Sequence, residues 1–221
     1  MPHRHFISDP SSRSPALDAI PSAESLTVVI LASGTGSLAS ALLDAVEDDE
    51  YPATVAAVVS DRECPALKSA ERRGVATTVV PMTDDRAEWD RALADTVAGH
   101  HPDLVVSAGF MKILGADFLA RFGGRIINAH PALLPSFPGA HAVPAALAHG
   151  VKVTGSTIHL VDEGVDTGPI LAQAPVAVNP ADDEITLHER IKMVERVLLV
   201  AVVRSIAIKG VVIEGRKAYI P

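Results

Sequence analysis

The hydrophobic pattern of this chain begins abruptly. Residues 1–25 hold six serines and four prolines and lack an apolar run. Met1-Pro-His-Arg-His5 is polar, and Ser11 to Pro15 is rich in Ser and Pro. That composition predicts a disordered N-terminal tail over 1–25. From Leu26 the pattern changes. Residues 26–32 form a β-branched apolar run, closed by Ser33-Gly-Thr-Gly-Ser37. A helix is then expected over 40–46, a strand over 53–60, a helix over 63–73 and a strand over 76–81. A helix over 86–99 and a strand over 104–108 follow. Continuously apolar strands alternating with helices predict a parallel sheet covered on both faces, an α/β doubly wound architecture.

The second half reads differently. A short helix is expected over 113–122 and a strand over 125–128, which runs into a loop stiffened by Pro131, Pro135 and Pro138. Residues 143–149 read as helix, and 153–160 alternate well enough for a strand. A loop rich in Asp and Gly covers 161–168, a strand 170–178 and a long helix 185–208. The end suggests a hairpin around Glu214-Gly215. No linker or repeat divides the chain, so residues 26–221 are read as a single domain with a mostly parallel sheet.

Composition narrows the function classes. Of 221 residues, 48% are hydrophobic and 21% charged, which suits one globular domain with a sizeable core. Aromatics make up 4%, too few for a base-stacking platform. The net charge of −8, with no Lys/Arg cluster, argues against nucleic acid as partner. The single cysteine, Cys64, can make neither an internal disulfide nor a zinc cluster and fits a reduced thiol in the cytoplasm. No secretory signal is visible. The most apolar stretch, residues 197–203, is seven long, far short of a membrane span. Nothing in the chain decides its oligomeric state, and a homodimer stays open.

Two places carry candidate chemistry. The loop Ser33-Gly34-Thr35-Gly36-Ser37 joins a strand to a helix. Glycines there permit positive φ and close approach of the backbone, and a helix N-terminus offers free amides to a phosphate, with Ser37 as candidate N-cap. The same loop has a competing reading: Gly34, Gly36 and Ala39 satisfy G-x-G-x-x-A, and Asp61 ends the second strand, as in a dinucleotide site of an NAD-dependent oxidoreductase. The second place is Asn128 and His130 at a strand end. Two residues apart, they share a face and project past the carboxyl edge of the sheet. Such a pair suits acyl transfer, because both can donate to an oxygen gathering negative charge and the histidine can serve as general acid. The histidine needs a carboxylate, and the Asp-rich loop offers Asp162 and Asp166; chemistry alone leaves that choice open. Neither Gly-x-Ser-x-Gly nor His-Glu-x-x-His occurs, and the nine histidines are scattered, so no metal is expected.

Taken in order, Gly34-Thr-Gly-Ser37, Gly109-Phe-Met-Lys-Ile-Leu114, Asn128-Ala-His-Pro-Ala-Leu-Leu-Pro135, Pro138-Gly-Ala-His141 and Asp162-Glu-Gly-Val-Asp-Thr-Gly-Pro169 resemble the motifs of phosphoribosylglycinamide formyltransferases. The resemblance covers about residues 26–210 and implies their Rossmann-like fold. It also implies that 10-formyltetrahydrofolate is the cosubstrate, that glycinamide ribonucleotide is the acceptor and that the role is in purine biosynthesis. By the same resemblance Asn128, His130 and Asp166 are the catalytic three. Gly34, Thr35, Gly36, Ser37, Leu38 and Glu195 serve the ribonucleotide. Arg86, Met111, Lys112, Ile113, Leu114, Asn128, Val161, Asp162, Val165 and Asp166 serve the folate. The chain departs from the usual pattern at Leu38 (usually Asn), Lys112 (more often Arg) and Ala132 (commonly Ser). Of the relatives, a formyltetrahydrofolate hydrolase would use the same three groups with water as acceptor but normally carries a regulatory domain in front. A methionyl-tRNA formyltransferase would need a basic C-terminal domain. The oxidoreductase reading leaves Asn128, His130 and Asp166 without a task.

Overall fold

The computed structural model describes residues 17–221. Its elements are, in order, Leu17–Ile20 (β1), Leu26–Leu31 (β2), Ser37–Ala45 (α1), Ala53–Ser60 (β3), Pro65–Glu71 (α2), Ala76–Val79 (β4), Arg86–Ala98 (α3) and Leu104–Ser107 (β5). Ala116–Phe122 (α4), Ile126–His130 (β6), Ala142–His149 (α5), Val153–Leu160 (β7), Ile170–Ala177 (β8), Glu184–Lys209 (α6), Val211–Glu214 (β9) and Lys217–Tyr219 (β10) follow. The main sheet has the order β4-β3-β2-β5-β6-β7-β8. The first five strands are parallel; β7 and β8 each pair antiparallel with their neighbour.

Strand β2 shows why the sheet is covered on both sides. Its residues are buried almost without interruption, yet alternate residues serve different cores. Val28 and Ile30 pack with Leu42 of α1, Leu67 of α2 and Val203 of α6. Val29 and Leu31 pack with Trp89 and Leu93 of α3 and Phe118 of α4. From β2 the chain winds outward through β3 and β4, then returns to place β5 and β6 on the other side. The crevice at that switch, between the carboxyl ends of β2 and β5, is where ligands settle in such sheets.

Several boundaries move, each for a local reason. Helix α1 starts at Ser37, because Gly36 adopts φ 76° and takes the N-cap position itself; the expected cap by Ser37 does not form. Helix α4 starts at Ala116, after Gly115. Its free amides at Gly115 and Phe118 donate to the buried Asp90 carboxylate of α3, at 2.6 and 2.9 Å, which frees Met111 to Leu114 from the helix.

The largest correction concerns the tail. The expected disorder over 1–16 lies outside the described residues, but 17–20 form β1, which pairs antiparallel with β9. Ile20 is buried in the main core. A four-residue strand carries too weak a pattern to be noticed; its partner lies nearly two hundred residues away. Helix α6 meets the small sheet at Gly210, where an added Cβ would stand 2.5 Å from the Ile20 carbonyl oxygen and φ is 73°.

Candidate functional site

Strand β6 brings Asn128 and His130 to the carboxyl edge of the sheet, and its pairing with β7 sets Asn128 against His159 and His130 against Thr157. Directly opposed residues of an antiparallel pair share a face, so four polar side chains converge there. His130 is 3% exposed. Its Nδ1 lies 3.2 Å from Asp166 Oδ2, and its Nε2 lies 2.8 Å from the Phe137 carbonyl oxygen. Both ring nitrogens thus face acceptors, an arrangement that a doubly protonated ring satisfies. Burial nonetheless pushes the His130 pKa below the usual histidine range, against the opposing pull of the Asp166 carboxylate and the Phe137 carbonyl.

Asp166 sits at φ 54°, a left-handed conformation unusual for a residue with a side chain. Its carboxylate is gripped from three sides. The Gly139 amide donates to Oδ2 at 2.7 Å, His130 Nδ1 approaches the same oxygen, and His159 Nε2 lies 3.5 Å from Oδ1. The hydrogen bond from His159, with the Gly139 amide and the charge on His130, holds the Asp166 pKa down at about 2 although burial opposes it. Asp162 does something different. Its Oδ1 accepts from the Gly164 amide and the Thr167 hydroxyl, so it shapes the loop rather than meeting the histidine. The choice that the sequence left open is resolved by geometry in favour of Asp166.

His159 is the residue that sequence reasoning missed. Its Nδ1 donates to the Leu160 carbonyl at 2.8 Å, which leaves Nε2 facing Asn128 Nδ2 at 3.3 Å and Asp166. Neutral, it accepts from the carboxamide; charged, it donates to the carboxylate. The signal was present: a histidine two residues after Thr157 on an alternating strand shares that residue's face. Only the β6–β7 register shows that this face meets Asn128.

The remaining predicted residues divide between the two faces of the sheet. On the α1 and α6 face lies the glycine loop. Gly36 has no room for a side chain, since an added Cβ would stand 2.6 Å from that of Ala66. Leu38 turns into the core and is buried, so only its backbone faces the loop and the side chain cannot reach a ligand there. Glu195 of α6 is 5% exposed. Ser156 Oγ donates to it at 3.2 Å, and burial pushes its pKa up to about 7. On the α3 and α4 face, Arg86 donates to the Ile113 carbonyl at 2.6 Å and stacks over Trp89. Met111 and Ile113 are 72% and 66% exposed, whereas the Leu114 side chain and part of Val161 belong to the core. Val165 is exposed on the loop that carries Asp166. The Met111 amide donates to Ser33 Oγ at 3.0 Å, tying the end of β2 to this wall.

Asp61 decides the dinucleotide reading. Its side chain is 3% exposed, its Oδ2 accepts two bonds from Arg62, and Lys112 Nζ stands 3.7 Å from the same oxygen. Its other oxygen, Oδ1, has no hydrogen-bond partner among the described residues but is buried out of reach of a ribose hydroxyl, so the oxidoreductase reading is set aside.

Residues 26–203 match the formyl transferase family. The chain belongs to that family. It is 58% identical over 201 residues to the phosphoribosylglycinamide formyltransferase of Mycobacterium tuberculosis, covering 90% of this chain and 93% of that one. Its fold superimposes on glycinamide ribonucleotide transformylase 1 from Symbiobacterium toebii with a TM-score of 0.86, at 39% identity, covering 89% and 94%. A formyltetrahydrofolate deformylase from Pseudomonas syringae also aligns, at a TM-score of 0.83 and 30% identity, covering 90% of this chain and 66% of that one. Two positions that the sequence marked as unusual are Leu38 and Lys112. Both have local reasons here: Leu38 fills the core and Lys112 pairs with Asp61.

Proposed function

We infer that this protein transfers the formyl group of 10-formyltetrahydrofolate to the amine of glycinamide ribonucleotide, a step of purine biosynthesis, and does so in the cytoplasm. One observation carries the reading best. The candidate ribonucleotide residues, Gly34 to Ser37 and Glu195, lie on the α1 and α6 side of the sheet edge and Arg86 with Met111 to Leu114 on the α3 and α4 side, the side that Asn128 and His130 face from the end of β6, since their neighbours Ile127 and Ala129 point into the α1 and α6 core. Two substrates held on opposite sides would meet at that edge. The acceptor amine forms a bond to the formyl carbon and the formyl oxygen gathers negative charge. Asn128 and protonated His130 donate to that oxygen, His130 exchanging its Phe137 contact for the substrate. The bond from carbon to the folate nitrogen then breaks. That nitrogen gains a proton and the amine surrenders one, so none is consumed overall. Asp166 favours the charged histidine, and buried Glu195 faces the ribonucleotide side.

Hydrolysis to formate is the reading of a different acceptor, and the deformylase likeness keeps it testable. Purified protein is mixed with 10-formyl folate and the deformylated product followed by absorbance, with and without glycinamide ribonucleotide. Turnover that requires the ribonucleotide is expected. Equal turnover without it would make water the acceptor.

A further inference from the structure

The small sheet β1-β9-β10 lies outside residues 26–203, yet it reaches the site. The turn between β9 and β10 carries Arg216, whose Nη2 donates to the Thr167 carbonyl at 3.1 Å. Thr167 directly follows Asp166. Its hydroxyl is already fixed by Asp162 Oδ1 at 2.6 Å. The loop has little slack elsewhere, because side chains at Gly164 and Gly168 would collide with Thr167 and with the Leu160 carbonyl. Thr167, the residue after Asp166, is thus held by its hydroxyl from within the loop and by its carbonyl from the hairpin. A residue at φ 54° relaxes toward ordinary backbone when its neighbours let go.

We propose that Arg216 is a positioning residue: by holding the Thr167 carbonyl it keeps Asp166 left-handed, with its carboxylate against His130. The proposal rests on the reading of Asp166 given above. The hairpin is a firm anchor for this purpose. Strand β1 pairs with β9, Ile20 is buried, and Ala218 and Ile220 pack on the main core. The N-terminal strand and the C-terminal hairpin together therefore brace the loop that serves the histidine.

The test compares Arg216→Ala, Arg216→Lys and Asp166→Asn in steady-state formyl transfer across pH, with thermal unfolding alongside. Arg216→Ala is expected to lower kcat about fivefold, the worth of one ordinary hydrogen bond, with both KM values within about twofold. Its high-pH fall in kcat should move to lower pH, because His130 loses part of its counter-charge. The lysine variant should recover most of the turnover, and unfolding should hardly change. Wild-type kcat and pH profile in Arg216→Ala, beside a loss in Asp166→Asn, would overturn the proposal and leave the role of Asp166 intact. A drop that lysine does not rescue, shared by kcat and KM, would also overturn it. Full turnover in Asp166→Asn would remove the reading on which it stands.

Discussion

The two rims of the sheet edge are built from different material. The glycine loop after β2 is backbone: amides at the start of α1, a left-handed Gly36 and close packing on Ala66, with Leu38 turned inward. The end of β6 is side chain: His130 and His159 lie against Asp166, Asn128 lies against His159, and the acidities of His130 and Asp166 are shifted. A backbone site offers fixed dipoles that do not titrate, which suits holding a phosphate at any working pH. A cluster of buried titratable groups offers a proton and a charge whose strength depends on its neighbours, which suits chemistry. The first rim should therefore govern binding and the second turnover.

The largest effect that would break this division lies in the second rim. His130→Ala should lower kcat by about 10²–10³ while the KM values move little, since the lost donor acts on charge that develops only during reaction. Steady-state kinetics check this; a loss confined to KM would merge the two rims. Gly36→Ala should do the opposite. Its Cβ meets Ala66, and φ 76° is strained for alanine, so unfolding should become easier by about 1–3 kcal/mol and the ribonucleotide KM should rise with kcat largely kept. Denaturant melts and saturation curves separate the two consequences.

Glu195 sharpens the comparison, as the titratable group on the backbone-built side. Its pKa is raised from the ordinary 4.5 to about 7, so its own contribution to stability is fully present below about 4.5 and is lost as pH rises through 7. Glu195→Gln should remove that slope. It should gain up to about 3 kcal/mol above pH 8, by the usual worth of a pKa shift. Thermal unfolding of both proteins between pH 4 and 8 measures it, and parallel curves would mean that the carboxyl is not buried as an acid.

The legibility of the molecule follows the range of the interactions. The alternation of apolar strands and helices is local, and the strands and helices from β2 to α6 stand close to where periodicity puts them. Asn128 and His130 were legible because two residues on one strand share a face whatever lies beyond. What escaped depends on distant pairing. Strand β1 exists because β9 lies beside it, and His159 matters because β7 runs antiparallel to β6. Asp166 outranks Asp162 only through its left-handed backbone and the Gly139 amide. The resemblance marks Leu38 as a departure, but that its side chain fills the core follows only from how α1 packs on the sheet.

The claim that the second rim works through charge on His130 is tested most directly by the pH dependence of kcat in the wild type and in Asp166→Asn. Asp166 raises the His130 pKa against burial, and the protonated ring is the donor, so kcat falls as pH rises through that pKa. Removing the carboxylate charge should lower the plateau and move this fall to lower pH. A profile that keeps its position while the plateau drops would contradict the account and leave Asp166 as a spacer with no electrostatic part in the reaction.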